Sequence, residues 1–334
     1  MKTNINIIAE LSANHNNDFE LAKDTIAAMK DSGADTVKFQ TFTADSLSLD
    51  VDNEFFGPLK KGLWKGQRPY ELFQKAAMKY EWQPKLAEYA MSLGLNWLSS
   101  PFDHEAVDFL ESINIPAYKI ASLEISDTPL IAYAASKGKP MIISTGVADD
   151  KDTQLAIDTC KNAGNEQITM LKCTSQYPAP IEEANLLTIP DMKQRFNVEV
   201  GVSDHTMGFI VPIVAVSLGA KVVEKHFILN RKLGGPDSGF SMEPAEFKQM
   251  ADAVRDAEKA LGKVTYNLTD SERARRRSLF VVKDIKKGEA LTPENIRSVR
   301  PGAGLHPKHF AEVLGKTVKT DIKRGTPLLF KLLN

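Results

Sequence analysis

Cysteine is nearly absent: Cys160 and Cys173 are the only two in 334 residues, and they form no CxxC pair. A disulfide framework is therefore excluded, and two reduced thiols are expected. An excess of one charge is missing as well. The 42 Lys and Arg are balanced by 43 Asp and Glu, for a net charge of −1, which excludes a bulk polyanion-binding surface. No nucleic-acid partner is expected, and the basic cluster at Arg273, Arg275, Arg276 and Arg277 reads as a solvated or domain-anchoring patch. The longest apolar stretch, 209–220, is interrupted by Pro212, Ser217 and Gly219. It falls far short of the roughly 20 residues of a membrane helix, so no membrane partner is expected. The short apolar patch behind Lys2 already contains Glu10 and fits neither a signal nor a transit peptide, which points to the cytoplasm.

The chain is 43% apolar and 25% charged, a globular composition. Short β-branched runs recur at 5–11, 36–41, 96–100, 117–121, 140–145, 168–174, 199–204 and 221–227. Between them lie segments of helical period, such as Phe19, Ala22, Ile26 and Met29. Eight such units predict a (β/α)8 TIM barrel, with a doubly wound open sheet as the competing architecture. The strand ends favour the barrel. Glu10, Lys38, Ser100, Lys119, Ser144, Thr174, Asp204 and His226 stand at or near them, and only a barrel brings all eight strand ends to one mouth.

His205 and His226 end adjacent predicted strands, close enough to share one divalent cation. Glu10, Glu124, Asp204 and Asp237 are possible oxygen donors. A hydrogen-bonded buried histidine is the plainer reading of either imidazole alone. Lys38 and Lys119 place charge inside core strands, where an ammonium requires an anion. That anion is either Glu10 or Glu124, or a ligand. With hydroxyls at Ser100, Ser122, Ser144 and Ser203, the two lysines make a pocket for a phosphate and a carboxylate. The 234–239 segment, GGPDSG, is either a flexible turn or the carrier of Asp237 over the mouth, facing sugar hydroxyls. His15 is an orienting or a capping residue. Cys173 reads as a packed thiol without a base.

The segment 42–81 is long for a loop and is either a lid or a structural excursion. After Gly262 the pattern shifts to short strand-like pieces at 278–282, 290–291, 296–299 and 326–330, separated by glycines. The expected organisation is a TIM barrel over 1–264, a linker over 265–277 and a small β-rich domain over 278–334. A module this small is marginal alone.

The segments IAELSANH (8–15), VKFQ (37–40), SSPF (99–102), AYKIAS (117–122), STG (144–146), KCTSQYP (172–178), SDHT (203–206) and EKHF (224–227) resemble the sialic acid synthase family. The likeness extends to KKGE (286–289) and SVRPG (298–302), which resemble its C-terminal antifreeze-like (SAF) domain. The resemblance implies a condensation of phosphoenolpyruvate with an amino-sugar aldose that breaks a C–O bond and releases phosphate. It implies Glu10, Glu124 and Asp237 as catalytic carboxylates, and a divalent metal (Mn2+, Mg2+ or Co2+) on His205 and His226. Lys38, Ser100, Lys119, Ser122, Ser144, Ser175, Tyr177 and Ser203 would bind substrate. Arg300 would reach the partner's site in a domain-exchanged homodimer. TADSL (43–47), GLW (62–64), YEL (70–72) and GLHPK (304–308) resemble the branch using a 2,4-diacetamido-2,4,6-trideoxy hexose of altro configuration. The sialic acid branch often has threonine and asparagine where this chain has Ser100 and Ser175. A metal-dependent aldolase and a carbohydrate-binding protein are the remoter readings.

Overall fold

Val, Ile and Leu fill the eight predicted runs because strands covered by helices outside and packed side chains inside never face water. In the computed structural model, which describes residues 5–334, all eight become parallel strands; Lys2 lies outside the described residues. They are β1 Asn6–Glu10, β2 Thr36–Thr41, β3 Asn96–Pro101, β4 Tyr118–Ile120, β5 Met141–Ser144, β6 Ile168–Cys173, β7 Glu199–Asp204 and β8 Val222–His226. Each pairs with the next, and β8 pairs with β1 to close the barrel. An open sheet is thereby excluded.

Helices sheathe the barrel. Helix Phe19–Asp31 starts where Asp18 accepts hydrogen bonds from the backbone N–H of Glu20 and Leu21, and it buries Ala22, Ile26 and Met29. The barrel interior is closed low down by a plug of Ile8, Leu98, Ile142, Leu171 and Val222. Gly201 completes that layer by having no side chain: a Cβ there would lie 2.6 Å from Leu171 Cδ2. The apolar plug confines polar chemistry to the strand ends above it.

The 42–81 segment is not structureless. It carries helices Ala44–Leu47 and Pro69–Ala76 and a 3-10 turn, Tyr80–Trp82. Contacts divide the chain into one unit ending at Gly262 and a second, Lys263–Asn334. The second has its own apolar core around Leu279, Val281, Ile296 and Leu328. Its strands are sparser than the sequence suggested. Only β9 Ser278–Val281 and β10 Ile296–Val299 form a ladder, whereas Ala290 and Pro327 contribute isolated bridges. Phe330–Leu332 turns into a 3-10 helix.

Candidate active site

A parallel strand shows alternate residues to opposite faces, so β8 turns Glu224 and His226 inward together and Lys225 outward. Pairing in register sets Glu10 of β1 beside His226, and Oε2 of Glu10 lies 3.1 Å from Nε2 of the ring. Oε1 of Glu10 is 2.7 Å from Lys38 Nζ. Lys38 is also 3.2 Å from Oε1 of Glu224, and the same oxygen is 3.6 Å from Lys119 Nζ and accepts from Ser203 Oγ at 3.1 Å. Lys119 donates to Ser144 Oγ at 2.7 Å. These charged groups are all buried.

Burial works against each charge and the neighbours answer it. For Glu10, desolvation is outweighed by His226, Lys38 and Lys119, which hold the carboxyl down at about 2. Burial likewise opposes the Lys38 ammonium, but Glu10 and Glu224 lift it above its ordinary value. Lys119 falls below its ordinary value because burial, aided by the charge on Lys38, exceeds the pull of Glu224. Glu124 ends a 3-10 turn, Ser122–Glu124, and burial pushes its carboxyl up to about 7.

The rings of His205 and His226 are 5.3 Å apart, wedged by Tyr177 against His205 at 4.4 Å and by Phe240 against His226 at 4.8 Å. Nδ1 of His205 donates to the Thr174 carbonyl at 3.1 Å, which leaves Nε2 as the lone-pair nitrogen. Nδ1 of His226 is buried without a hydrogen-bond partner. Two oriented imidazoles, one with an orphaned buried nitrogen, fit a divalent cation held by two protein ligands and completed by oxygen donors from water or substrate. Among the described residues no group of three His, Cys, Asp or Glu side chains forms a cage. Asp204, offered as a possible oxygen donor, is turned outward: its Oδ2 lies 2.6 Å from Lys225 Nζ.

Asp237 is held in place by the first loop. Its Oδ2 accepts from Ser12 Oγ and from Ala13 N, the latter at 3.3 Å. Ser12 sits at φ 47, the left-handed conformation that turns the chain there. Asn14 donates to the Phe227 carbonyl at 2.9 Å and to Ser241 Oγ at 2.8 Å, and Ser241 in turn donates to the Asp237 carbonyl. These ties make 234–239 a positioned loop, not a flexible turn.

One cavity of about 720 Å³ unites these groups. Glu10, Lys38, Lys119, Ser122, Glu124, Ser144, Tyr177, Ser203, His205, His226 and Asp237 all line it. Ser100 is buried beside it with an unpartnered hydroxyl, and Ser175 lies against Cys173, Oγ to Sγ 3.9 Å; neither is part of the wall. Arg300 belongs to the second unit. His15 is a packing residue that closes a turn, since Nδ1 accepts from Asn17 N at 3.1 Å and the ring meets Trp82 edge-on, whereas the helix that follows is capped by Asp18. Cys173 is packed, but it has the imidazole neighbour that sequence spacing did not reveal, with Sγ 3.8 Å from His205 Nδ1. Glu224, Ser12 and Asn14 are the site residues missed. Glu224 was detectable, because it stands two positions before His226 in the same strand.

Residues 25–266 match the NeuB family and residues 276–334 match the SAF domain. Pseudaminic acid synthase of Helicobacter pylori is 47% identical over 96% of this chain and 96% of its own length. N,N'-diacetyllegionaminic acid synthase of Legionella pneumophila is 39% identical over 97% of this chain and 93% of its own. The crystal structure of N-acetylneuraminic acid (sialic acid) synthetase from Leptospira borgpetersenii in complex with citrate superposes with a TM-score of 0.71. That pair shares 29% identity and covers 80% of this chain and 89% of that one. The chain belongs to the NeuB family and ends in a SAF domain.

Proposed function

We propose that this chain is a pseudaminic acid synthase, joining phosphoenolpyruvate to 2,4-diacetamido-2,4,6-trideoxy-L-altrose with release of inorganic phosphate. The observation that carries the reading is the floor of the cavity, where two buried lysines and three hydroxyls stand beside two imidazoles. An enol phosphate with its carboxylate and an aldehyde are the partners that this pairing suits. The choice of acceptor rests on the relatives named for that product.

Lys38 and Lys119, with Ser144 and Ser203, bind the phosphate and carboxylate. Because they are already desolvated and fixed by Glu10 and Glu224, they meet the charge without reorganising. C3 of the enol forms the new bond to the aldehyde carbon, water adds at C2, and the C2–O bond to phosphate breaks. The two protons of that water end on the new sugar hydroxyl and on the departing phosphate. Glu10 is the acid/base group, and Glu124 orients the water through its buried, unpartnered Oε2. Asp237, fixed by Ser12, receives sugar hydroxyls. His205 and His226 would hold a divalent ion (Mn2+, Mg2+ or Co2+), which when bound would supply Lewis-acid polarisation of the aldehyde. Arg300 completes the site of a partner subunit in a domain-exchanged dimer.

The test incubates the protein with phosphoenolpyruvate, a metal and either the altro sugar or N-acetylmannosamine, following phosphate and the nine-carbon keto acid by mass spectrometry. The reading expects phosphate release only with both substrates present, loss of that release on chelation, and preference for the altro sugar. Preference for N-acetylmannosamine, or for the legionaminate precursor, would reassign the acceptor.

A further inference from the structure

Behind the two imidazoles, on the outer face of the barrel, lies a buried ion pair that the chemistry of the cavity does not use. Asp204 is the residue before His205, and Lys225 is the residue before His226. Their side chains are each 1% exposed, and Lys225 Nζ lies 2.6 Å from Asp204 Oδ2. Lys225 also donates to the Thr206 carbonyl, while Thr206 N donates to Asp204 Oδ1 at 2.8 Å. One ammonium on β8 thus grips the residues on both sides of His205.

The backbone ties each histidine away from the other. The His205 carbonyl accepts from Ala179 N at 3.0 Å and its ring is bonded to Thr174, both in the chain that follows β6. The His226 carbonyl accepts from Met242 N at 2.9 Å, and Phe227 N donates to the Glu10 carbonyl of β1 at 2.9 Å. The register of β7 against β8 ends with Asp204 opposite Lys225. Beyond that pair the two strand ends are joined through the Lys225 side chain. A buried ion pair adds little stability over apolar side chains of the same volume, so the fold alone does not account for charge here. Ligand-to-metal distances hold to about 0.2 Å, so drift between the two strand ends would weaken a shared cation site.

We infer that Asp204 and Lys225 are positioning residues that set the spacing of the His205 and His226 rings for one divalent cation. This role rests on the proposed holding of that ion by the two imidazoles.

The test reads metal binding, not turnover. Metal-free protein is titrated with Mn2+, free Mn2+ is followed by electron paramagnetic resonance, and the fold of each variant is read by urea denaturation. Asp204→Asn combined with Lys225→Met removes both buried charges, and Asp204→Asn alone is the second variant. Asp35→Asn is the control. Asp35 precedes the first residue of β2, at the opposite end of the barrel from the imidazoles, and its Oδ2 lies 2.5 Å from Arg255 Nη2. The double variant should bind Mn2+ roughly 10- to 100-fold more weakly than the wild type, the usual cost of losing a residue that orients a metal ligand. Asp35→Asn should bind as the wild type does even where it unfolds at lower urea. Where the double variant does not fold, Asp204→Asn alone decides by the same criterion. Unchanged Mn2+ affinity in the folded variant overturns the inference and leaves the two-histidine site intact. Equal weakening in Asp35→Asn overturns it too, by marking a general effect of stability, and failure of both variants to fold does so by making the pair structural. A wild type that binds Mn2+ no more tightly than His205→Ala overturns the metal role and this inference together.

Discussion

Lys38 and Glu224 lie 3.2 Å apart in the floor of the cavity, and the oxygen that meets Lys38 is the one that Lys119 and Ser203 also face. The other oxygen, Oε2, is buried without a partner. One carboxylate thus sets the position of two ammonium groups. Removing it leaves two buried cations with Glu10 as their remaining close anion, and an unpaired buried charge is costly. Glu224→Ala is expected to lower the free energy of unfolding by about 3–5 kcal/mol, read by urea denaturation. KM for phosphoenolpyruvate should rise more than KM for the sugar. A loss below about 1 kcal/mol would show that the lysines do not depend on it.

Glu124 gives the protein a pH response near neutrality. Burial is the leading cause of its raised pKa, opposed by Lys119 and Lys38 and assisted by Asp127. The folded value of about 7 lies above the ordinary 4.5. The folded state therefore binds this proton more tightly than the unfolded state. The stability gained is complete below pH 4.5 and is lost as pH rises through 7. Glu124→Gln should therefore match the wild type in acid and exceed it above pH 7 by up to about 3 kcal/mol. If the ionised form orients water, kcat/KM of the wild type rises through pH 7, and the variant has lower activity without that limb. Identical pH profiles in the two proteins would remove Glu124 from the chemistry.

From the sequence, the barrel was legible because buried parallel strands are uninterrupted apolar runs, and a charge within such a run demands a reason. Lys38 and Lys119 stood out on that ground. The same alternation could have sorted two further residues. Counting back two from His226 reaches Glu224 on the inner face, and counting one past Ser203 puts Asp204 on the outer face, against Lys225. Asp204 was misplaced because proximity to a strand end was weighed without its parity. Ser12 and Asn14 were beyond reach of periodicity. They act from an irregular loop whose course depends on Ser12 at φ 47 and on hydrogen bonds to residues more than 200 positions away. In the second unit, short apolar pieces at 290–291 and 326–330 imitated strands, but only single bridges form there.

Arg300 follows β10 and is exposed in the second unit. Its proposed role in a partner subunit makes a prediction that a structural or in-chain role does not share. Arg300→Ala alone should raise the sugar KM or lower turnover with the barrel still folded. His226→Ala alone should be inactive, because its own barrel lacks an imidazole. When the two variants are mixed under conditions that exchange subunits, the His226→Ala chain can lend its arginine to the intact barrel of the other chain. Random exchange then restores roughly a quarter of the wild-type activity, since half of the dimers are mixed and each has one complete site. If Arg300 served its own barrel, mixed dimers would contain no complete site, and activity would not exceed the average of the two separate variants.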